Sequence, residues 1–83
     1  MSGIPRVTLY TRKGCCLCEE AKHVLELVRQ RARFDLQEVD IDGDAGLRGI
    51  YNEEVPVIAI NGRKAFKYRV TEQELLKKLA ART

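Results

Sequence analysis

The stretch Gly14-Cys15-Cys16-Leu17-Cys18 contains all 3 cysteines of the 83-residue chain, and the segments on either side of it indicate how it is held. Residues 6–10 before it predict a strand, and residues 17–32 after it predict an amphipathic helix. A helix N-terminus offers unpaired N–H groups and a partial positive charge, and both favour a thiolate over a thiol. Because the thiolate is the nucleophile, the sequence predicts a reactive cysteine at a strand-to-helix turn.

Geometry indicates which two cysteines pair. Cys15 and Cys16 are neighbours, so their Cα atoms lie about 3.8 Å apart, below the usual disulfide minimum of about 4.4 Å. Cys16 and Cys18 do not face each other on a helix, whereas Cys15 and Cys18 are spaced so that they do. We therefore predict a Cys15–Cys18 redox pair in which Cys15 attacks from the exposed helix end and Cys18 resolves. Cys16 is interpreted as a bystander thiol, with glutathionylation, a second nucleophile and metal ligation as the alternatives.

The composition predicts a soluble globular protein with a single domain, residues 1–83. The net charge is only +3, and its basic residues are scattered among acidic ones, which argues against a nucleic-acid partner. No apolar run reaches the roughly 18 residues of a membrane span, and residues 1–5 are too short for an export signal. We therefore expect a monomeric protein of the reducing cytoplasm with no membrane partner. In that setting a Cys-x-x-Cys pair is more often catalytic or metal-binding than structural.

The first half of the chain predicts a βαβ unit followed by a short helix. The helix after the cysteines has an apolar stripe at helical spacing: Leu17, Ala21, Val24, Leu25, Val28 and Ala32. An imperfect alternation over residues 34–40 predicts a second strand. Asp44 is placed to cap a helix that runs to about Tyr51. The acidic series Asp40-x-Asp42-x-Asp44 lacks the glycine and glutamate of a calcium loop, so we interpret it as a strand end and a helix cap.

The second half of the chain predicts a hairpin and a closing helix. Residues 55–60 predict a third strand, and the turn signal Asn61-Gly62 makes residues 63–68 a fourth strand, antiparallel to the third. Thr71 and Glu74 form the capping box of the last helix. The order is then βαβαββα, an α/β arrangement of one four-stranded mixed sheet with three helices on its faces. The tyrosines are interpreted as partly buried packing residues: Tyr10, Tyr51 and Tyr68.

The order and spacing of these pieces resemble the thioredoxin fold in its smallest, glutaredoxin-like form. The resemblance rests on Thr8-Leu9-Tyr10-Thr11 before the cysteines, Val39-Asp40-Ile41-Asp42 and Val55-Pro56-Val57-Ile58 with Asn61-Gly62 behind it. It covers nearly the whole chain. Residues 14–22, of pattern Gly-Cys-x-Leu-Cys-Glu-x-Ala-Lys, look like a bacterial glutaredoxin-like subfamily.

The resemblance implies substrate-binding roles for Arg12, Val55 and Pro56. In this fold the pair that matches Val55-Pro56 has a cis peptide bond and lies against the cysteines. The backbone of the residue before that proline pairs with the chain of the partner. Arg12 occupies the place of the family's basic residue before the first cysteine. Two interpretations of Arg12 and Lys13 stay open: they are solvated charges, or they lie next to the thiolate and lower its pKa.

Two segments depart from the glutaredoxin pattern. Glutaredoxins usually carry Cys-Pro-Tyr-Cys, whereas the inner pair here is Cys16-Leu17. They also carry a Gly-Gly turn and an acidic pair that hold glutathione. The corresponding residues 66–72 read Phe-Lys-Tyr-Arg-Val-Thr-Glu, so the glycines are missing and only Glu72 matches an acid.

These observations predict a thiol–disulfide oxidoreductase in which Cys15 attacks a disulfide and Cys18 releases the reduced partner. We expect no metal and no resident cofactor, with glutathione or another thiol as the reductant. The expected partners are a disulfide-containing protein or glutathione, and a reductase. Two alternatives stay open. One is a dimer that bridges an iron–sulfur cluster through Cys15, and the other is an interaction domain with little activity.

Overall fold

The elements follow one another in the order βαβαββα, as the sequence predicts. The computed structural model describes residues 4–51 and 54–80. The elements are β1 (Arg6–Thr11), α1 (Cys16–Arg29), β2 (Asp35–Asp40), α2 (Ala45–Tyr51), β3 (Val57–Ile60), β4 (Arg63–Lys67) and α3 (Glu72–Ala80). A single 3-10 turn, Ile41–Gly43, joins β2 to α2. Among these described helices, none has the length and apolar character needed to cross a bilayer.

The strands form one mixed sheet in the order β2-β1-β3-β4. β1 pairs in parallel with β2 and antiparallel with β3, and β3 pairs antiparallel with β4. Asn61 and Gly62 connect β3 to β4 with φ angles of 53° and 85°. Two successive positive φ angles match the type I′ hairpin turn, which explains why the Asn-Gly signal predicts this hairpin.

The predicted site residues and the turns next to them lie at one end of the sheet. Tyr10 lies opposite Val57, and Thr11 lies opposite Asp40. The C-terminal ends of β1 and β2 therefore meet the beginning of β3 at this end. The turn into α1, the 3-10 turn and Pro56 all adjoin it.

The core lies between the sheet and the helices, and α1 and α3 pack against each other. Its buried members lie on β1, β3, α1 and α3 and in the segments that flank them: Val7, Leu9, Ala21, Leu25, Val28, Phe34, Ile58, Ile60, Val70, Leu75 and Leu79. All residues of β3 are buried, so β3 is a central strand that is covered on both faces. β2 has no buried residue, which explains its imperfect apolar alternation.

Both predicted helix caps are present. Thr71 Oγ1 accepts a hydrogen bond from the Glu74 N–H at 3.2 Å, and Glu74 Oε1 accepts one from the Thr71 N–H at 3.3 Å. Asp44 Oδ1 accepts hydrogen bonds from the N–H groups of Gly46 and Leu47 at 2.8 and 3.2 Å. These side chains satisfy donors that a helix N-terminus leaves unpaired.

Several element boundaries differ from the predicted ones. α1 ends at Arg29 rather than Ala32, and the Gln30 N–H bonds back to the Leu27 carbonyl at 3.2 Å in a tightened last turn. β3 begins at Val57 rather than Val55, since proline has no N–H to donate to a ladder.

Candidate dithiol site

Cys15 and Cys18 come together where α1 begins. Their Cα atoms are 5.2 Å apart, and their sulfur atoms lie at disulfide distance. Cys15 is the N-cap residue of α1, and its Sγ accepts a hydrogen bond from the Cys18 N–H at 3.1 Å. The helix therefore starts at Cys16, one residue earlier than predicted. One of its otherwise unpaired N–H groups points at the Cys15 sulfur.

The cysteines of this turn differ in exposure. Cys18 is buried, with 1% of its surface exposed, whereas Cys15 is half-buried at the surface. Cys16 is exposed and lies outside the pair. A partner disulfide can thus approach Cys15, while Cys18 is reached only through Cys15. This arrangement agrees with the predicted order of attack and resolution.

Gly14 allows β1 to turn sharply into α1. Its φ angle is 76°, a left-handed conformation that glycine adopts without the steric cost that a Cβ atom would add. This turn brings Cys15 to the start of the helix, and the exposed Lys13 precedes the turn.

Arg12 makes a contact that the sequence did not predict. Its Nη2 lies 2.7 Å from Asp42 Oδ1, and its Nε donates to Asp42 Oδ2 at 3.3 Å. This hydrogen-bonded pair raises the pKa of Arg12 and holds the pKa of Asp42 below its ordinary value of 3.8. The signal was available, because parallel β1 and β2 end side by side and the residues that follow them meet. Substrate binding by Arg12 stays a prediction.

Val55 and Pro56 lie at the same end of the sheet and are joined by a cis peptide bond, as the resemblance implies. Pro56 is buried, and its carbonyl accepts a hydrogen bond from the Tyr68 N–H at 2.8 Å. Val55 is half-buried, and its backbone forms no hydrogen bond with any residue that the structure describes.

Two aromatic rings stack at this end of the sheet. Tyr10 and Tyr51 stack with their ring centroids 4.7 Å apart, which ties the end of β1 to α2. Both are half-buried, as predicted. The prediction for Tyr68 is wrong, because 43% of its surface is exposed.

The described side chains near the site do not supply the ligand set of a metal centre. Within residues 4–51 and 54–80, no three His, Cys, Asp or Glu side chains converge as a metal site would require. An iron–sulfur cluster usually takes four thiolates, so the alternative function needs ligands from a second molecule.

Residues 6–80 match the family model described as Glutaredoxin-like domain (DUF836). The chain belongs to the glutaredoxin-like family. It is 31% identical over 84 residues to an uncharacterized protein of Mycobacterium tuberculosis, a match that covers 95% of this chain and 87% of that protein. It is also 31% identical over 75 residues to a glutaredoxin-like protein of Dictyostelium discoideum, covering 83% of this chain and 69% of the relative.

Solved structures confirm the architecture of this glutaredoxin-like protein. The X-ray structure of a target protein from X. campestris is 34% identical, with a TM-score of 0.76, and the match covers 90% of this chain and 96% of that one. A mutant thioredoxin from Halobacterium salinarum is 17% identical, with a TM-score of 0.74, covering 95% of this chain and 74% of that one. The second likeness concerns the fold alone. The predicted thioredoxin-like fold is therefore confirmed.

Proposed function

We propose that this glutaredoxin-like protein is a thiol–disulfide oxidoreductase that reduces disulfides with Cys15 and Cys18. The main support is the placement of the two sulfur atoms at disulfide distance, with one at the surface and the other buried. The position of Cys15 at the N-terminus of α1 adds to it, because the helix end favours a thiolate.

The first step forms a mixed disulfide. The Cys15 thiolate attacks one sulfur of the partner disulfide, a bond forms between the two sulfur atoms, and the second partner sulfur leaves as a thiolate. The hydrogen bond from the Cys18 N–H to Cys15 Sγ stabilises negative charge on the attacking atom. Val55 would align the partner, since its unbonded backbone can pair with an extended segment as a strand does.

The second step releases the reduced partner. The Cys18 thiol loses its proton to solvent, and the resulting thiolate attacks the Cys15 sulfur of the mixed disulfide. The Cys15–Cys18 bond forms, the bond to the partner breaks, and the remaining partner sulfur leaves as a thiolate. Two electrons pass from the dithiol to the partner disulfide. Glutathione or another thiol of a reducing compartment such as the cytoplasm then restores the dithiol.

Electron transfer from the reduced protein to a disulfide substrate tests this function. The protein is reduced with dithiothreitol, freed of it by desalting and mixed with excess insulin, whose newly formed thiols are counted. The wild-type protein should reduce about one disulfide per chain. Cys15→Ser should transfer no electrons, and Cys18→Ser should stop at a mixed disulfide visible by mass spectrometry.

Cys16→Ser is the matched control, because it removes a neighbouring thiol that lies outside the pair. It should keep most of the wild-type transfer. Equal transfer by Cys15→Ser and the wild type would rule out the proposed mechanism. A visible absorption band in anaerobically purified protein would instead favour the cluster-binding alternative.

A further inference from the structure

Tyr68 adopts a backbone conformation that is rare for an aromatic residue. Its φ angle is 69°, and the Arg69 N–H donates to the Lys67 carbonyl at 2.8 Å, which closes a γ-turn of the rare, strained kind. The Tyr68 N–H donates to the Pro56 carbonyl at 2.8 Å, so the turn is fixed beside the proline of the site. Strained backbone of this kind persists where the surroundings hold it, and it is common at functional sites.

The ring that this turn carries contributes little to the core. It has 43% of its surface exposed, although large aromatic side chains are usually well buried. Lys67 Nζ lies 5.5 Å from the ring centroid, at the face of the aromatic system. The turn therefore holds an aromatic surface in solvent next to Pro56.

A cleft of about 250 Å³ separates this turn from α1. Its walls include the apolar side chains of Leu17, Val24 and Tyr68. Leu17 lies between the paired cysteines in sequence, so one wall of the cleft belongs to the first turn of α1, beside the dithiol. Glu20 and Arg69 face each other across it at 3.9 Å, and both side chains are largely exposed.

Glu20 offsets the charge of Arg69 in the wall of the cleft, and further basic residues lie near it in the sequence. Lys67 and Arg69 flank Tyr68, and the exposed Lys13 precedes the dithiol turn. Neither Lys13 nor Lys67 forms an ion pair with any part of the chain that the structure describes. An acidic partner segment complements these charges.

We propose that Tyr68 is a specificity-determining residue of the site. An apolar side chain next to the partner's reactive cysteine lies between the Tyr68 ring and Leu17, while Lys67 attracts acidic residues that flank it. This role rests on the proposed disulfide reduction and defines its substrate class: a disulfide-bonded protein segment that is acidic and carries an apolar residue beside its cysteine.

Two matched peptides test this specificity. Each is cyclised by one disulfide; the first has leucine beside a cysteine and glutamates around it, and the second has serine and lysines there. Because burial of a leucine stabilises the bound state, the wild-type kcat/KM should be about tenfold or more higher for the first peptide. Tyr68→Phe retains the ring and should keep this ratio, whereas Tyr68→Gly should lower it several-fold, to the preference that Lys67 still gives through its charge.

Glycine suits a φ angle of 69°, so Tyr68→Gly should fold, and its urea midpoint is measured beside the kinetics. Lys67→Glu is a second variant, and it should lower the preference for the acidic peptide by reversing a charge.

Equal wild-type rates on both peptides, or an unchanged ratio in Tyr68→Gly, would overturn this role and leave disulfide reduction intact. Reduction of neither peptide nor insulin by the wild type would overturn both proposals. An equal loss on both peptides with a lowered urea midpoint would make Tyr68 a structural residue and overturn its specificity role.

Discussion

The sulfur of Cys15 has the surroundings that a nucleophile needs. It caps α1, it accepts a hydrogen bond from the Cys18 N–H, and it follows the exposed Lys13. Each of these features stabilises the thiolate over the thiol. We therefore expect the pH dependence of alkylation to shift to lower pH in a protein that carries Cys16→Ser and Cys18→Ser. Its reaction with iodoacetamide should reach half the maximal rate at a pH well below about 8.5, which is the pKa of an ordinary cysteine.

The matched control is a protein in which Cys16 is the only cysteine, made with Cys15→Ser and Cys18→Ser. Its exposed thiol lies in the same turn but does not cap the helix. A half-maximal pH for Cys15 equal to or above that of Cys16 would contradict the role of the helix end.

At the scale of single residues, local geometry was predicted from the sequence, whereas the contacts between remote residues were missed. The Cys15–Cys18 pair follows from spacing, because both residues belong to one helical turn. The Arg12–Asp42 pair joins positions 30 residues apart, and it depends on the parallel pairing of two strands. The hydrogen bond from the Tyr68 N–H to the Pro56 carbonyl likewise joins two separate segments, and no local pattern indicates it.

At the scale of elements, the Arg12–Asp42 pair connects the turn after β1 to the 3-10 turn after β2. Pairing lowers the pKa of Asp42 below 3.8, so the folded state favours the ionised carboxylate. The resulting stabilisation is fully present above the unfolded-state pKa and is lost as pH falls through the lower folded-state pKa. The wild type should therefore be more stable than Asp42→Asn at neutral pH, and this difference should vanish in strong acid.

Urea unfolding of both proteins over a series of pH values measures this difference. Asp35→Asn is the control, because it removes an exposed carboxylate of β2 that pairs with no described cation. The raised pKa of Arg12 keeps the guanidinium charged across this range, so the pH dependence of the difference comes from the carboxylate and not from Arg12. A difference that is as large in strong acid as at neutral pH would show that the ion pair is not its source.

The beginnings of elements were easier to predict than some of their ends. Thr71-x-x-Glu74 and Asn61-Gly62 specify local hydrogen bonds and φ angles, so the start of α3 and the hairpin are evident in the sequence. The end of α1 is different, because apolar residues continue at helical spacing to Ala32 after the helix has closed at Arg29. At the end of α1, tertiary packing rather than the apolar spacing of the sequence determines where the helix stops.

At the scale of the whole molecule, the core is small, so each large buried side chain contributes a large share of the free energy of unfolding. Leu25 is 0% exposed and belongs to the core cluster beneath α1. Leu→Ala changes in cores typically cost about 2–5 kcal/mol, and a chain of this size is stable by only about 4–12 kcal/mol. Leu25→Ala should therefore lower the free energy of unfolding by a large fraction.

Ile50→Ala is the matched control, since 63% of the Ile50 surface is exposed on α2. Its free energy of unfolding in urea should stay close to that of the wild type, within about 0.5 kcal/mol. Comparable losses in the two variants would mean that α2 is covered by another surface in solution.

The overall architecture was predictable because several independent signals agree on it. A βαβ unit predicts parallel neighbours, and a two-residue turn predicts antiparallel ones, which together require a mixed sheet. The sequence did not indicate that β1 and β3 are adjacent. That adjacency gives the sheet order and brings Pro56 to the cysteine end, and it depends on long-range pairing.

The sheet order has an electrical consequence. β2, at one edge, carries 3 acidic residues and no basic one in its sequence DLQEVD, while β4, at the opposite edge, carries 3 basic residues and no acidic one in RKAFK. Glu38 pairs with Lys22, and Lys64 pairs with Glu54, so the remaining charges of the two strands contribute a dipole across the width of the sheet: Asp35, Asp40, Arg63 and Lys67. The field of this dipole rotates an approaching charged molecule before contact, so an acidic one is steered to the β4 edge, where the chain continues into Tyr68.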